Sequence, residues 1–283
     1  MPIKPTGSLL AAPRRGAAAG FFRSAAKASR RCAAAWRGIL YAGFAAILLL
    51  TVGCERHASA NIAQTAPLPL AENVPGDGTV IGRVTIVDAP PPLPRLDTSA
   101  TPDGARLHPH GIADESLVIG PGGTVQNVVV SVEGAPMSDG RHEPPVPLDQ
   151  SGCQYKPHVV AVQIGQPLVV SSHDPFTHNV DMMSVANAPR NLSFPGPGSQ
   201  TVVFGSPEFF KVRCDIHPSM SAWIAAMPSP YYSLTAKDGT FVIHHVPAGA
   251  FTLSAWQERL GTLHQPLYIK AGQTVHLNFV YQP

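Results

Sequence analysis

The sequence predicts an all-β protein with β-sandwich architecture. Short runs rich in β-branched residues recur along most of the chain and are separated by glycine, proline and aspartate turns. The 283 residues include 30 prolines, which disfavour long helices because proline lacks a backbone N–H and clashes with the preceding turn. This length allows one or two domains of ordinary size, each able to bury a core.

Each expected strand combines β-branched or aromatic residues with a nearby turn signal. Most residues of the first run, TVIGRVTIV, are β-branched, and Gly165-Gln166 separates two later runs as a tight turn. In chain order, the expected strands cover residues 79–87, 125–132, 158–163, 167–170, 201–204, 209–214, 222–227, 240–243, 251–256, 265–269 and 275–281.

The N-terminal segment has the composition of an export signal. Its first 54 residues contain no acidic residue, and the apolar run 38–53 is short for a membrane span but typical of a signal peptide. Small residues precede Cys54, as in a bacterial lipoprotein processing site. We therefore expect a lipoprotein-type signal peptide at 1–53, lipidation of Cys54 and a tether at 54–76. An uncleaved anchor is the alternative.

The charge balance changes when the leader is set apart. The whole chain has 20 basic and 18 acidic residues, and eight of the basic residues lie in the leader. The remainder has 12 basic and 18 acidic residues, a net charge of −6. A net acidic protein without a basic cluster is not expected to bind nucleic acid. We expect it to face the periplasm, on a bacterial membrane through its lipid anchor or secreted.

One short segment carries the residues for metal chemistry. Cys214, His217 and Met220 follow the spacing C-x2-H-x2-M, and His178 lies upstream. One thiolate, two imidazoles and a weak axial thioether form the ligand set of a blue-copper electron-transfer centre. His178 and His217 would bind as neutral imidazoles, and Met220 would tune the reduction potential. We therefore expect one copper ion between two loops at the same end of a sheet.

Residues 156–227 resemble the cupredoxin family of blue-copper proteins, and their ligand loop is most similar to that of amicyanin. The matching segments are PHVVAVQIGQ at 157–166, HNV at 178–180 and CDIHPSM at 214–220, followed by SAWIAAM at 221–227. The resemblance implies a Greek-key β-sandwich with one type 1 copper ion, in which Asn179 ties the two ligand loops together.

The same resemblance implies a carrier of single electrons. The outer edge of His217 would be exposed and would face a redox partner protein, such as a cytochrome or a dehydrogenase. No enzymatic activity is expected, because four ligands leave no open position on the copper for a substrate.

The segments on either side of the copper motif have a second resemblance. They are GTVIGRV at 78–84, NVVVSV at 127–132, KDGTF at 237–241, VPAGAF at 246–251 and AGQT at 271–274. These segments are similar to a carboxypeptidase-regulatory-like (transthyretin-like) β-sandwich, and the whole arrangement is similar to methylamine-utilisation-type proteins. We expect this sandwich to be discontinuous, at 77–145 plus 228–283, with the cupredoxin-like copper domain at 146–227 inserted in it. Two sequential domains are the alternative.

Alternative interpretations of the motif remain open. Cys153 and Cys214 could form a disulfide, which export would permit, but this would leave the histidine and methionine spacing unexplained. Cys153 and His158 are expected close to the copper, as structural residues in preference to ligands. The same ligands would also suit a copper storage or delivery protein. A third alternative is a structural β-sandwich with a vestigial site.

Overall fold

The computed structural model describes residues 77–282, in which almost all regular structure is β-strand, so the all-β fold class is confirmed. The strands are β1 (Gly78–Ile86), β2 (Val129–Glu133), β3 (Val146–Gln150), β4 (Tyr155–Lys156), β5 (Val159–Gln163), β6 (Leu168–Ser172), β7 (His178–Met182), β8 (Arg190–Phe194), β9 (Gly198–Val202), β10 (Glu208–Arg213), β11 (Ser221–Met227), β12 (Tyr232–Leu234), β13 (Thr240–Val246), β14 (Gly249–Gln257), β15 (Gly261–Ile269), β16 (Thr274–His276) and β17 (Phe279–Tyr281).

One short helix, α1 (Pro102–Leu107), and a 3-10 turn at Pro121–Gly123 lie between β1 and β2. Thr101 caps α1, because its side chain accepts a hydrogen bond from the Gly104 N–H, and Pro102 suits the first turn. Within residues 77–282, no helix is long and apolar enough to cross a membrane. The expected signal peptide, Cys54 and the tether lie outside the described residues.

The first and last strands together form one sandwich, here called the outer sandwich (β1, β2 and β12–β17). In one of its sheets, β1 pairs antiparallel with β13 and parallel with β16 and β17. The other sheet has the order β12-β2-β14-β15. Inward-facing residues of both sheets, including Val84, Val130, Leu253 and Phe279, form a common core. The strands before β3 and after β11 therefore bury their apolar faces against each other.

The C-terminal run 275–281, expected as one strand, instead forms β16 and β17. Both pair with β1, and the break between them contains Leu277, whose N–H donates to the Ile81 carbonyl at 3.0 Å. A Cβ at Gly82 would lie 1.7 Å from the Leu277 carbonyl oxygen, so only glycine permits this close approach. The break results from contact between β1 and the C-terminal segment, which are far apart in sequence, so local sequence pattern did not predict it.

The strands between these two groups form a second sandwich, here called the inner sandwich (β3–β11). Its sheets have the orders β5-β11-β10-β7-β8 and β4-β3-β6-β9. Its core includes Leu148, Val162, Val180, Phe210 and Ile224. The sequence pattern did not predict β3, β7 or β8, whose polar residues interrupt the apolar alternation. The resemblance of the outer sandwich to transthyretin-like domains stays a prediction.

A third apolar cluster joins the two sandwiches. Val129 of the outer sandwich packs with Val159, Ala161, Ala225 and Met227 of the inner one. At its edge, the rings of Trp223 and Trp256 lie 5.1 Å apart in a T-shaped arrangement. The inner sandwich is therefore packed against the outer one, and is not attached only through its two connecting segments.

Candidate metal centre

Two adjacent strands bring the predicted donors together. Phe210, Val212 and Cys214 share the buried face of β10 and its extension, as the two-residue period of a strand requires. His178 is the first residue of β7, which pairs with β10. In the structure the Cys214 Sγ lies 3.9 Å from the Nδ1 of His178 and 3.8 Å from the Nδ1 of His217.

The ligand loop, residues 214–220, joins β10 to β11 and is closed by its own backbone. The Cys214 N–H donates to the Met220 carbonyl at 3.2 Å, and the Met220 N–H donates to the His217 carbonyl at 2.9 Å. All four predicted ligands are buried: His178 is 0%, Met220 1%, Cys214 2% and His217 3% exposed. The short hairpin therefore places a thiol, an imidazole and a thioether in one interior region.

The donor spacing fits a copper ion. In a trigonal site, a metal–sulfur bond of about 2.3 Å and a metal–nitrogen bond of about 2.1 Å place the sulfur and nitrogen atoms about 3.8 Å apart. The two Sγ–Nδ1 distances, 3.9 and 3.8 Å, match this value. Thiolate with imidazole is also the donor chemistry that suits copper. Cys214, His178 and His217 could therefore hold the ion with little rearrangement.

Asn179 connects the two ligand-bearing segments. Its Oδ1 accepts a hydrogen bond from the Asp215 N–H at 2.8 Å and lies 3.3 Å from the Cys214 Sγ. Its Nδ2 donates to an Asp215 carboxylate oxygen at 2.7 Å and to the Asn191 Oδ1 at 2.8 Å. The side chain thus fixes the beginning of the ligand loop relative to β7, the geometry expected of a residue that orients metal ligands.

Asp174, which the sequence analysis did not single out, orients His178. Its Oδ2 lies 2.9 Å from the His178 Nε2, and because a carboxylate can only accept, the ring proton belongs on Nε2. This leaves Nδ1, the atom that faces Cys214, with a free lone pair for a metal. The spacing of four residues between Asp174 and His178 was the available sequence signal, but it is too common to be specific.

The thiol and the imidazoles perturb one another. Burial raises the pKa of Cys214, but the contact with His178 and backbone N–H groups outweigh burial, so the net pKa is lowered. Burial lowers the pKa of His178, but the contacts with Cys214 and Asp174 prevail and raise it. Burial and then the charge of His178 lower the pKa of His217. The site therefore favours a Cys214 thiolate, the form that binds metal.

Of the two residues expected near the copper, only Cys153 lies among the donors. A ligand atom of Cys153 and one from each of His178 and His217 lie within 4.8 Å of one another. Cys153 and Cys214 are both buried and free, and do not form a disulfide. The ring of His158 instead contacts the Glu258 carboxylate, which also accepts from the Trp223 Nε1 at 2.8 Å.

The exposed histidine edge that was expected at His217 is absent. His217 is 3% exposed, and the Phe176 ring lies beside it, with ring centroids 5.7 Å apart. The segment between β1 and β2 also reaches this end of the inner sandwich, where the His108 Nε2 lies 2.7 Å from the Gly152 carbonyl oxygen. The expectation was wrong because the cover comes from residues distant in sequence.

A groove of about 720 Å³ runs beside the ligand loop, between the two sandwiches. Cys214, Pro218 and Met220 line one side; Leu96 and Ser116 from the segment between β1 and β2, and Glu258 after β14, line the other. Charged side chains of both signs, including Lys211, Arg213 and Asp215, lie along it. Within the ligand loop, Asp215, Pro218 and Ser219 border this groove, whereas the His217 ring is enclosed.

Comparison with known proteins yields distant structural matches only. No protein-family model matches the chain, and no curated protein matches it. A copper-containing nitrite reductase from Thermus scotoductus SA-01 is 20% identical with a TM-score of 0.28, over 29% of this chain and 22% of that chain. A purple cupredoxin from Nitrosopumilus maritimus is 15% identical with a TM-score of 0.25, over 29% and 98% of the two chains.

An amicyanin mutant in its reduced Cu(I) form is 13% identical with a TM-score of 0.28, over 34% of this chain and 97% of that chain. Cupredoxins are thus among the solved structures to which this chain is similar. Because the TM-scores are low and only about a third of the chain is covered, the interpretation of the centre depends on its own geometry. Fold and donor set define a β-sandwich protein with a buried group of cysteine and histidine side chains that could hold a metal ion.

Proposed function

We propose that this protein is an exported carrier of single electrons with one type 1 copper ion, bound by His178, Cys214, His217 and Met220. The observation that carries the proposal is the convergence of two imidazole Nδ1 atoms on one buried thiol, at 3.9 and 3.8 Å. Copper, when bound, would supply the one-electron Cu(II)/Cu(I) couple.

The surroundings of the donors support electron transfer. Electron transfer slows when ligands must rearrange between oxidation states, so a carrier needs its donors held in place before the metal binds. Asn179 fixes the ligand loop to β7, and Asp174 fixes the His178 ring. All four proposed ligands are buried, so water does not compete for positions on the metal. No open coordination position is left for a substrate, and we therefore expect no catalytic turnover.

The redox partner would be another protein, such as a cytochrome or a dehydrogenase. Because the His217 edge is covered, we place the electron route at the groove beside Cys214 and Pro218. Lys211 and Arg213 at that groove offer charged contacts for orienting a partner.

The test is the spectrum of the purified protein with Cu(II). We expect an intense visible thiolate-to-copper band and a small parallel hyperfine splitting in electron paramagnetic resonance, because the Cys214–copper bond would be short in a trigonal field. Cys214→Ser should abolish the band. Ser219→Ala, a change on the same loop without a donor, should retain it. A protein that binds no copper, or that contains a quantitative Cys153–Cys214 disulfide, would contradict the proposal.

Copper storage or delivery is the second candidate, and the burial of His217 favours it. An ion enclosed beside Phe176 would lack an exit for electrons through His217. Copper release to an excess of a Cu(I) chelator separates the two functions. A carrier should cycle repeatedly between Cu(II) and Cu(I) without losing its ion, whereas a delivery protein should transfer the ion to the chelator on reduction.

Export and lipid anchoring are also part of the proposal, and they rest on Cys54 and the apolar run 38–53 that precedes it. We expect Cys54→Ala to release the protein from bacterial membranes or to block its processing. Fractionation and mass determination of the N-terminus measure this. A wild-type protein that stays in the membrane with its leader uncleaved would show a signal anchor instead.

A further inference from the structure

The metal centre contains a second thiol that the proposed ligand set does not use. Cys153 is 0% exposed, and one of its ligand atoms lies within 4.8 Å of a ring nitrogen of both His178 and His217. Cys214 approaches the same two rings, at 3.9 and 3.8 Å. Each of the two thiols thus lies close to both imidazoles in one buried region, and neither thiol is engaged in a disulfide.

The chain holds Cys153 in place through several contacts. Its backbone has φ of +52°, a left-handed conformation that is unfavourable for a non-glycine residue. The Asp174 carboxylate accepts hydrogen bonds from the N–H groups of Gly152, at 2.8 Å, and Cys153, at 2.9 Å. That same carboxylate binds the His178 ring at 2.9 Å. One side chain therefore orients a proposed ligand and the second thiol together.

A contact from the segment between β1 and β2 adds to this support. The His108 Nε2, at the end of α1, lies 2.7 Å from the Gly152 carbonyl oxygen. The turn that carries Cys153 is thus bound on one side by Asp174 and on the other by a segment distant in sequence.

We propose that Cys153 is a second thiolate ligand, so that the metal would be held by Cys153, Cys214, His178 and His217. This inference rests on the second proposed function, copper storage or delivery, since a second thiolate favours Cu(I) and a type 1 ion is bound by a single thiolate. On binding, the Cys153 thiol loses its proton to solvent and forms one metal–sulfur bond. Two thiolates and two imidazoles suit Cu(I) and Zn(II), which bind soft donors in tetrahedral sites.

The test counts sulfur atoms around the metal by X-ray absorption spectroscopy. The full protein is loaded with Zn(II), and in a second sample with Cu(I). We expect two sulfur atoms per metal at about 2.3 Å in the wild type. We expect one such sulfur atom in Cys153→Ser, and also one in Cys214→Ser. Thermal melting of the metal-free variants shows whether each still folds.

If Cys153→Ser does not fold, the number of sulfur atoms per metal in the wild type alone shows whether Cys153 is a ligand. A single short sulfur in the wild type, or a count that Cys153→Ser leaves unchanged, would overturn the inference. In that case an intense thiolate-to-copper band that depends on Cys214 would leave the proposed function standing. A wild-type protein that takes up no metal would overturn both.

Discussion

At the residue scale, a single carboxylate organises this centre. Asp174 is buried, and its carboxylate accepts hydrogen bonds from the His178 ring and from the backbone of the Cys153 turn. In metal sites, partners of this kind select the ring nitrogen that binds and hold its direction. The affinity of the site for its ion should therefore depend on a residue that does not itself bind the ion.

Replacement of Asp174 by asparagine should weaken copper binding by about 10- to 100-fold, because the His178 ring loses its anionic acceptor. Competition with a chelator of known affinity measures the change. Asp149→Asn is the matched control, because Asp149 contacts the exposed ring of His173 at 2.6 Å, in another carboxylate–histidine pair. An equal loss of affinity in both variants would show that the effect is not specific to the centre.

Replacement of Met220 by leucine should retain copper but raise the reduction potential, because loss of the proposed thioether donor disfavours Cu(II) relative to Cu(I). Protein-film voltammetry measures the potential. Met182 is buried in the same core but lies on β7 and not on the ligand loop, so Met182→Leu should leave the potential unchanged. If Met220→Leu has the wild-type potential, Met220 is not a ligand.

At the scale of elements, β10 is held at both ends by polar contacts. Its C-terminal end leads into the ligand loop. At its first residue, the Glu208 carboxylate accepts hydrogen bonds from the Val185 N–H at 2.6 Å, the Ala186 N–H at 3.1 Å and the Ser184 hydroxyl. The carboxylate thus closes the turn after β7, the strand that begins with His178. The strand pair that carries both halves of the centre depends on this side chain.

Burial raises the pKa of Glu208, but the hydrogen bonds from Ser184 and the following backbone outweigh it and lower the pKa from 4.5 to about 2. A carboxyl group whose pKa is lower in the folded state stabilises that state at pH values above its pKa in the unfolded chain. This contribution is lost as the pH falls from 4.5 towards 2. The free energy of unfolding should therefore fall at acid pH by an amount that depends on Glu208.

Glu208→Gln should lower the free energy of unfolding at neutral pH by about 1–3 kcal/mol, because a charge-assisted acceptor is lost. The difference from the wild type should shrink as the pH falls below 4.5. Urea unfolding at a series of pH values measures it. The exposed Glu115 supplies the control variant Glu115→Gln, which should change stability little at any pH. A difference that does not vary with pH would contradict the assigned role.

At the scale of the whole molecule, we propose that the inner sandwich is a domain inserted into the outer one, with boundaries at residues 146 and 227. The pairing of β1 with β13, β16 and β17, and of β2 with β12 and β14, supports this plan. The N-terminal half of the outer sandwich, β1 and β2, has too few strands to bury a core by itself. The interface around Val129 and Met227 should in addition couple the stabilities of the two sandwiches.

Truncation after Pro230 should therefore give an unfolded or aggregating protein, because β1 and β2 lose the strands that cover them. Replacement of residues 145–228 by a short Gly/Ser linker should instead leave a folded β protein without copper. This second protein should be less stable than the whole chain, because Val129 and Trp256 lose their cover. Circular dichroism and thermal melting measure both outcomes. Independent folding of residues 76–230 and 231–283 would show sequential domains.

The sequence by itself determined the fold class, most strands and the candidate ligands, because these depend on local regularities. The two-residue period of Phe210, Val212 and Cys214 places the thiol on a buried face, and the C-x2-H-x2-M spacing fits one hairpin loop. Strands such as β7, with polar residues between apolar ones, lack such a regularity, and were not predicted.

Only the tertiary structure decided which residues surround these ligands. The contacts of Asp174 with the Cys153 turn, of His108 with Gly152 and the burial of His217 join segments that are far apart in the chain. Such contacts follow from how two sandwiches pack, and packing depends on the shapes of whole faces, which no local period records. The donor residues could be identified from a short motif, whereas their burial depends on how the two sandwiches pack together.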